Sequence, residues 1–356
     1  MNEQYDALAL FSGGLDSILA AKLAAGQGLS VLGAHFASPF FGSARSLDRW
    51  WKLYGIQVQT LDVSEEFADL LARRPDHGFG KLLNPCIDCK ILMMRKARIL
   101  MEAYGAKCII SGEVLGQRPM SQRRDALDII SRDAGVRDVL VRPLCAKKFQ
   151  PTAAEQAGVL DHGALLNIGG RGRKDQLALA AEMGLQEIPP AAGGCKLTEP
   201  ETAKRYLPFI SQLERPSPED YQMCDFGRHY WAGPRLAAIG RRKDDNEQLG
   251  GFVRFDDAGL KLVRHPGPLG LLRRLDGPVE DQDVLEAAAL AASFSPKACR
   301  EGGKVGVSVR LRGTQTEVEV VPDREPPLGW SEPKVEDVKA WKEKTLASEA
   351  EKPQTP

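Results

Sequence analysis

The sequence carries no net charge. Its 48 Lys and Arg residues balance 48 Asp and Glu over 356 residues, so overall charge argues for no nucleic-acid partner, and any basic face must come from local clustering. It has no apolar run approaching the roughly 20 residues needed to span a bilayer. Its start, Met1-Asn2-Glu3-Gln4-Tyr5, lacks the basic and apolar segments of a secretory signal. These absences lead to the expectation of a cytosolic (cytoplasmic) protein with no membrane partner. There is no even set of cysteines either: the count is seven, which favours metal or thiol chemistry over a disulfide framework. Internal repeats are absent. With 43% hydrophobic and 27% charged residues, the composition is that of a globular protein, and the length suggests two domains.

What is present is an alternation. Strand-like segments cover residues 6–11, 30–36, 57–63, 108–111 and 138–141, and helix-like segments cover 43–54, 64–73, 90–104, 122–134 and 174–183. That order predicts an α/β fold, a doubly wound, mainly parallel sheet with ligands at the carboxyl ends of its strands. Prolines at Pro189-Pro190, Pro208, Pro216 and Pro218 mark a composition shift. The first domain is therefore expected over 1–205 and a linker over 206–224. Strand-like runs at 232–241, 250–255, 305–311 and 316–321, with an alanine-rich helix at 281–293, predict a second, smaller α+β domain over 225–321. From Pro322 the chain turns to Pro, Glu and Lys. A poorly ordered tail is expected over 322–356, with one short helix at 335–344.

The stretch with most chemistry is Phe11-Ser12-Gly13-Gly14-Leu15-Asp16-Ser17, between the first strand and a helical run over 18–25. Two glycines allow close backbone approach, Ser12 and Ser17 add hydroxyls, and the amides at a helix start suit phosphate. Gly-Gly alone is equally an ordinary strand-to-helix turn. No Lys follows the glycines, so this is not the GxxxxGK[ST] loop. A second stretch is Asn84-Pro85-Cys86-Ile87-Asp88-Cys89-Lys90. A CxxC before a helix can be half a metal site, a redox pair or two core cysteines. A third candidate is Cys195, which follows Gly193-Gly194 in a proline-bounded loop and is not a natural core filler. Cys108, Cys145, Cys224 and Cys299 read as structural thiols, and Trp50-Trp51 as helix packing.

The hexapeptide SGGLDS at 12–17 resembles the SGGxDS loop of the PP-loop ATP pyrophosphatases, an adenine nucleotide alpha hydrolase-like fold whose members adenylate a substrate and release pyrophosphate. Asn84-Pro85-Cys86 with Cys89 resembles the NPCxxC segment of the tRNA 2-thiouridylases, and Cys195 their second active cysteine. Ser111-Gly112-Glu113-Val114-Leu115-Gly116-Gln117, with Ser121-Gln122, is similar to the TGExLGQxxSQ stretch of the 4-thiouridine synthases. Leu140-Val141-Arg142-Pro143-Leu144 resembles their RPL strand end. Two features depart from those families: no RNA-binding module precedes this segment, and no rhodanese-like domain follows. Instead Gly240-Arg241-Arg242-Lys243-Asp244-Asp245-Asn246-Glu247-Gln248-Leu249 resembles the GRxxxDNxxL signature of the NFACT-R domain, read as an RNA-binding module.

The resemblance implies ATP-dependent thiolation of a tRNA uridine, with a sulfur donor (a desulfurase, a carrier protein or sulfide) as second partner. It implies ATP binding by Ser12, Gly13, Gly14, Asp16, Ser17 and Gly112, with Asp16 on Mg²⁺. RNA contacts are expected from the glycine-hinged basic loop at Arg171, Arg173 and Lys174, and from Arg241, Arg242 and Lys243 beside His229, Tyr230 and Trp231. Arg118, Arg123 and Arg124 offer similar contacts. For sulfur, Cys86 and Cys195 can form a persulfide relay, or Cys86, Cys89 and Cys195 can hold a [4Fe–4S] cluster. The cluster is favoured, because the relay gives Cys89 no role. Zinc, completed by His77 or His162, ranks third. Rival functions are another PP-loop adenylating enzyme, whether small-molecule sulfurtransferase or amide ligase, and an RNA-binding protein with a degenerate nucleotide site.

Overall fold

Short runs of two to seven residues become the strands of a parallel sheet, with the apolar Ala7–Leu10 among them. The computed structural model describes residues 4–42, 47–190 and 194–350, which divide into two units, Met1–Lys196 and Leu197–Pro356. The first unit runs β1 (Ala7–Leu10), α1 (Leu15–Gly26), β2 (Val31–Ala37), α2 (Leu47–Tyr54), β3 (Gln57–Asp62), α3 (Ser64–Arg73), α4 (Cys86–Ala103), β4 (Cys108–Ile110), α5 (Arg124–Asp133), β5 (Leu140–Val141), α6 (Ala153–Gln156) and α7 (Lys174–Glu182). All five strands are parallel, in the order β3-β2-β1-β4-β5.

Strand β1 lies at the centre and is buried on both faces, as a parallel sheet covered by helices requires. Its two-residue period divides it between two cores. Ala7 and Ala9 join Ile18, Leu19 and Ala180 on one face, while Leu8 and Leu10 join Met94, Ala97 and Ile130 on the other. The edge strand β3, Gln-Val-Gln-Thr-Leu-Asp, alternates instead because one side meets solvent. The expected doubly wound sheet is what forms. The helix expected over 43–54 is seen from Leu47, and residues 43–46 lie outside the described residues. No described helix is long and apolar enough to cross a membrane.

The second unit holds α8 (Pro200–Gln212), α9 (Pro218–Met223), β6 (Arg228–Ala232), β7 (Arg235–Ile239), α10 (Lys243–Gly251), β8 (Ala258–Leu262), β9 (Leu269–Arg274), α11 (Asp281–Ala292), α12 (Pro296–Glu301), β10 (Val305–Leu311), β11 (Thr314–Val320) and α13 (Val335–Ala350). Its sheet is antiparallel, ordered β11-β10-β8-β9-β7-β6, and α11 covers one face. The α+β character is as expected, but three details differ. The segment 206–224, expected as a linker, holds the end of α8 and all of α9, joined by a short turn: Pro200 and Pro218 stand in the first turns of these helices, where proline starts a helix. The strand expected over 250–255 is the end of α10 and a turn, closed by Arg254 N–H donating to Asp257 Oδ2 at 2.9 Å. The tail expected from Pro322 is docked through its described part. Buried Glu286 accepts from Leu328 N–H at 2.7 Å and Trp330 Nε1 at 3.3 Å, Ser331 bridges to Trp231, and Val338 of α13 is buried.

Glu286→Ala leaves two donors buried without an acceptor. It should lower the stability of the second unit by about 2 kcal/mol and expose segment 322–331 to hydrogen exchange. Unchanged amide protection at Leu328 would refute this account of the docked segment.

Candidate nucleotide and sulfur site

The glycine loop forms at the carboxyl end of β1. Gly13 sits at φ +73° with its Cα against the Trp50 indole, where a Cβ would fall 2.4 Å from Cζ2. Only glycine meets both demands. Trp50 itself stacks edge-on against Phe11 and His35, at 5.2 and 4.8 Å, so it closes onto the loop, whereas Trp51 is exposed. Ser17 Oγ donates to Gly14 C=O at 2.8 Å, and Ser12 Oγ donates to Ser17 Oγ at 3.3 Å. The two hydroxyls shape the loop. Gly14 caps α1 with no side-chain acceptor, leaving the first amides and the positive helix end for an anion.

Asp16 lies in the first turn of α1, half-buried. Its Oδ2 accepts from Gln117 Nε2 at 2.8 Å, and its Oδ1 is buried with no protein partner. Burial pushes its carboxyl above the ordinary value, opposed by the Gln117 hydrogen bond and the charges of Arg173 and Arg118. Gly112, after β4, crosses the start of α1 so closely that a Cβ would stand 2.6 Å from the Asp16 carbonyl. Beyond it, buried Glu113 pairs with Arg142 of the RPL stretch at 3.1 Å. Gly116 N–H donates to Gln122 C=O at 2.7 Å, and Gly170 N–H to Leu115 C=O at 2.8 Å. The basic loop is thereby tied to the segment after β4. Arg171 and Lys174 are exposed, and Arg173 is half-buried with its field on Asp16.

The cysteine pair opens α4, not the loop before it: Cys86 is the first helical residue. Asn84, 6% exposed, is oriented by Leu82 N–H, which donates to its Oδ1 at 3.2 Å. Its Nδ2 then faces two sulfurs, Cys86 Sγ at 3.1 Å and Met120 Sδ at 3.3 Å. Met120 belongs to the segment that carries Gln117, so the glycine loop, the segment after β4 and the cysteine pair form one continuous site. Cys195 comes to the same place. Lys196 N–H donates to Phe40 C=O at 3.0 Å beyond β2. Burial first, and then the nearby Cys195 and Cys86 sulfurs, push the Cys89 thiol well above its ordinary value. Residues 191–193, ahead of Cys195, lie outside the described residues.

Among the described residues no group of three or more His, Cys, Asp or Glu side chains is arranged to hold a metal ion. A single-ion site differs from the [4Fe–4S] set expected on Cys86, Cys89 and Cys195, whose thiolates stand apart around a cubane; the Cys86 and Cys195 sulfurs both lie near Cys89, with Cys86 facing Asn84. His77 Nε2 meets Asp133 at 3.1 Å and His162 Nδ1 meets Glu155 at 2.7 Å, and neither joins the cysteines in a metal-ion group among the described residues. Sequence reading missed Gln117 as Asp16's partner, Trp50 against Gly13, and Lys148, whose stem lies where a Gly169 Cβ would be, 2.5 Å from its Cε. None had a signal beyond membership of a motif or neighbourhood of one.

In the second unit the GRxxxDNxxL stretch explains itself locally. A Cβ on Gly240 would stand 2.0 Å from Asn246 Oδ1, which accepts from Leu269 N–H at 3.0 Å, and Arg241 Nε donates to Asp245 Oδ2 at 3.0 Å. Arg242 and Lys243 are exposed. Of the stacking residues expected beside them, Trp231 packs edge-on against Phe209 at 5.1 Å and His229 is buried, while half-buried Tyr230 lies against Phe294. Burial lowers the His229 pKa to about 4, so it offers no cation.

Among known proteins, the family model of the thiamine biosynthesis protein ThiI matches residues 2–151. A tRNA sulfurtransferase of Sodalis glossinidius is 30% identical over 169 residues, 45% of this chain and 33% of that protein. A probable tRNA sulfurtransferase of Thermococcus kodakarensis is 28% identical over 145 residues, covering 38% of this chain and 36% of its own. The chain thus spans about a third of the length of the curated relatives it matches. A solved 4-thiouridine synthetase–RNA complex with bound ATP aligns over 51% of each chain at 20% identity and a TM-score of 0.32, too low to argue from.

The raised Asp16 carboxyl has a consequence for stability. The native state holds this proton more tightly than the unfolded chain, so stability falls as pH rises from about 3.9, the unfolded carboxylate value, through the raised folded value, and stays lower at neutral pH. Asp16→Asn should therefore melt at or above the wild-type temperature at pH 7, with the gain vanishing in acid. Calorimetry at both pH values checks this, and a lower melting temperature at pH 7 contradicts it.

Proposed function

We propose that this chain, whose residues 2–151 match the family model of the thiamine biosynthesis protein ThiI, is an ATP-dependent tRNA sulfurtransferase, which adenylates a uridine carbonyl and replaces its oxygen with sulfur. The observation that carries the reading is the run of contacts from Asp16 through Gln117 and Met120 to Asn84 and Cys86. It sets a phosphate-type loop and a cysteine pair at the two ends of one short segment.

ATP fits the loop as substrate. The open amides of α1 and the hydroxyls of Ser12 and Ser17 receive phosphate oxygens, and Gly13, Gly14 and Gly112 keep the approach clear of side chains. Mg²⁺, when bound, offsets charge on the departing pyrophosphate, and the partnerless Asp16 Oδ1 is the oxygen suited to hold it. The uridine oxygen attacks the α-phosphorus, pyrophosphate leaves, and the carbonyl carbon becomes an O-adenylate. A persulfide on one of Cys86 and Cys195 then attacks that carbon through its terminal sulfur, and AMP leaves with the C–O bond pair. The second cysteine's thiolate attacks the carrier Sγ, which frees thiouridine and closes a disulfide. An external dithiol supplies two electrons to reopen it, and the sulfur donor recharges the carrier. The Cys86 and Cys195 sulfurs both lie near Cys89, and a [4Fe–4S] cluster held by the three thiolates would supply sulfur from its open iron in place of the relay. The basic loop beside Asp16, with Arg171 and Lys174 exposed, suits the tRNA backbone, which it would position without reading sequence.

Four expectations follow. Asp16→Ala should abolish ATP–pyrophosphate exchange in a folded protein, and undiminished exchange removes Asp16 from the mechanism. Cys86→Ser and Cys195→Ser should both abolish thiouridine in tRNA nucleosides read by mass spectrometry. Cys89→Ser should retain thiolation, whereas its inactivity, with iron and sulfide in anaerobically purified protein, would overturn the relay in favour of a cluster. For the second unit, Arg242→Glu with Lys243→Glu should weaken tRNA binding and reduce the slope of log affinity against log salt by about 2. An unchanged slope removes these residues from the RNA contact.

A further inference from the structure

We infer that Gln117 is a positioning residue for Asp16, fixing which carboxylate oxygen faces the nucleotide. This rests on reading the glycine loop as an ATP site. A first-turn carboxylate on α1 could turn either oxygen outward. Gln117 removes that freedom, because its Nε2 holds Oδ2 at 2.8 Å while Oδ1 stays buried without a protein partner. Only the nitrogen end of an amide can donate to a carboxylate, so the orientation of Gln117 is set as well, and its own Oε1 is left buried and partnerless beside the site.

The backbone under Gln117 is fixed at several points. Its N–H donates to Val114 C=O at 3.1 Å, and Gly116 N–H donates to Gln122 C=O at 2.7 Å. The crossing of Gly112 over α1 sets how far Gln117 must reach. Neutrality matters too. An Arg or Lys at this position would hold the carboxylate equally well but would offset its charge. An amide holds it and leaves the negative charge for a cation or a donor on the nucleotide. Arg173 and Arg118 act on Asp16 through their fields, yet neither makes the contact that Gln117 makes.

The test uses the full chain with ATP–pyrophosphate exchange in the presence of tRNA. Gln117→Met keeps the length and removes the donor. It should lower kcat about 100-fold, as misplacement of a reacting group does, while KM for ATP stays within about threefold. Gln117→Glu sets a second carboxylate against the first and should be at least as poor. In an Asp16→Ala background, Gln117→Met should cost nothing further in melting temperature, although it lowers it in the wild type, because the two side chains act as one unit. If Gln117→Met keeps full kcat while Asp16→Ala is dead, or raises KM alone, the positioning role is wrong and the ATP site stands. If the melting effects simply add, the contact itself is wrong. If the wild type shows no exchange, the ATP reading fails and this inference falls with it.

Discussion

The site depends on one close approach. Gly112 crosses the amino end of α1 where any side chain would collide with the Asp16 carbonyl, 2.6 Å from a Cβ. Because nothing stands between them, the strand end after β4 and the first turn of α1 share one van der Waals surface. From there Gln117 reaches Asp16, and Met120 reaches the amide of Asn84. The parallel order with β1 beside β4 supplies the neighbourhood, since strand carboxyl ends gather loops on one edge. The missing Cβ supplies the last few ångströms.

That closeness has a thermodynamic cost, concentrated in four oxygens. Asp16 Oδ1, Glu113 Oε1, Gln117 Oε1 and Gln122 Oε1 are all buried without a protein donor, and all lie on the first turn of α1 or the segment after β4. Each such acceptor disfavours the folded state by about 1–3 kcal/mol unless something donates to it. Elsewhere the fold satisfies even its buried charges. Arg273, 4% exposed, meets Asp220 at 2.6 Å and Asp257 at 2.6 Å, and Arg274 and Arg235 share Asp283. Other such atoms are scattered, Thr60 Oγ1 and both amide atoms of Gln176 among them, but these four oxygens share one neighbourhood, where a nucleotide and its cation would supply donors and charge.

The sequence made the first unit legible because its strands are apolar runs between clear helices. Residues 64–73 are a helix to the residue, and β1, β2, β3 and β4 fall within one residue at either end of their expected spans. It made the second unit less legible. Strands β8 and β9 carry Lys261, Arg273 and Arg274, and a buried arginine paired to buried aspartates cannot be told from a surface one by composition. Prolines misled in the same region, because proline at the first turn of a helix and proline in a linker look alike until the partner surface is known. In the site, the motif residues were legible, but their partners were not. The Asp16–Gln117 contact spans 101 positions, and no local pattern announces it.

The aromatic and basic stretch around residues 226–243 shows how a signature can be spent on folding. Gly240, Arg241, Asp245, Asn246 and Leu249 each have an internal task, as a clearance, a paired cation, an acceptor for the Arg241 amide and side chain, a strand tie and a buried apolar side chain. Trp231 and His229 are buried as well. What remains for a partner is Arg242 and Lys243, and Lys243 has Glu247 at 3.6 Å on the same exposed helix face, where such a pair is worth little. An RNA contact here would thus rest on charge at a helix start, salt-sensitive and indifferent to sequence. The first unit differs. Its basic loop is tied by the Gly170–Leu115 hydrogen bond to the segment whose Gln117 holds Asp16, so a phosphate bound there would sit near the glycine loop. On the reading proposed above, positioning of an RNA backbone would fall to the loop beside Asp16 rather than to the signature in the second unit.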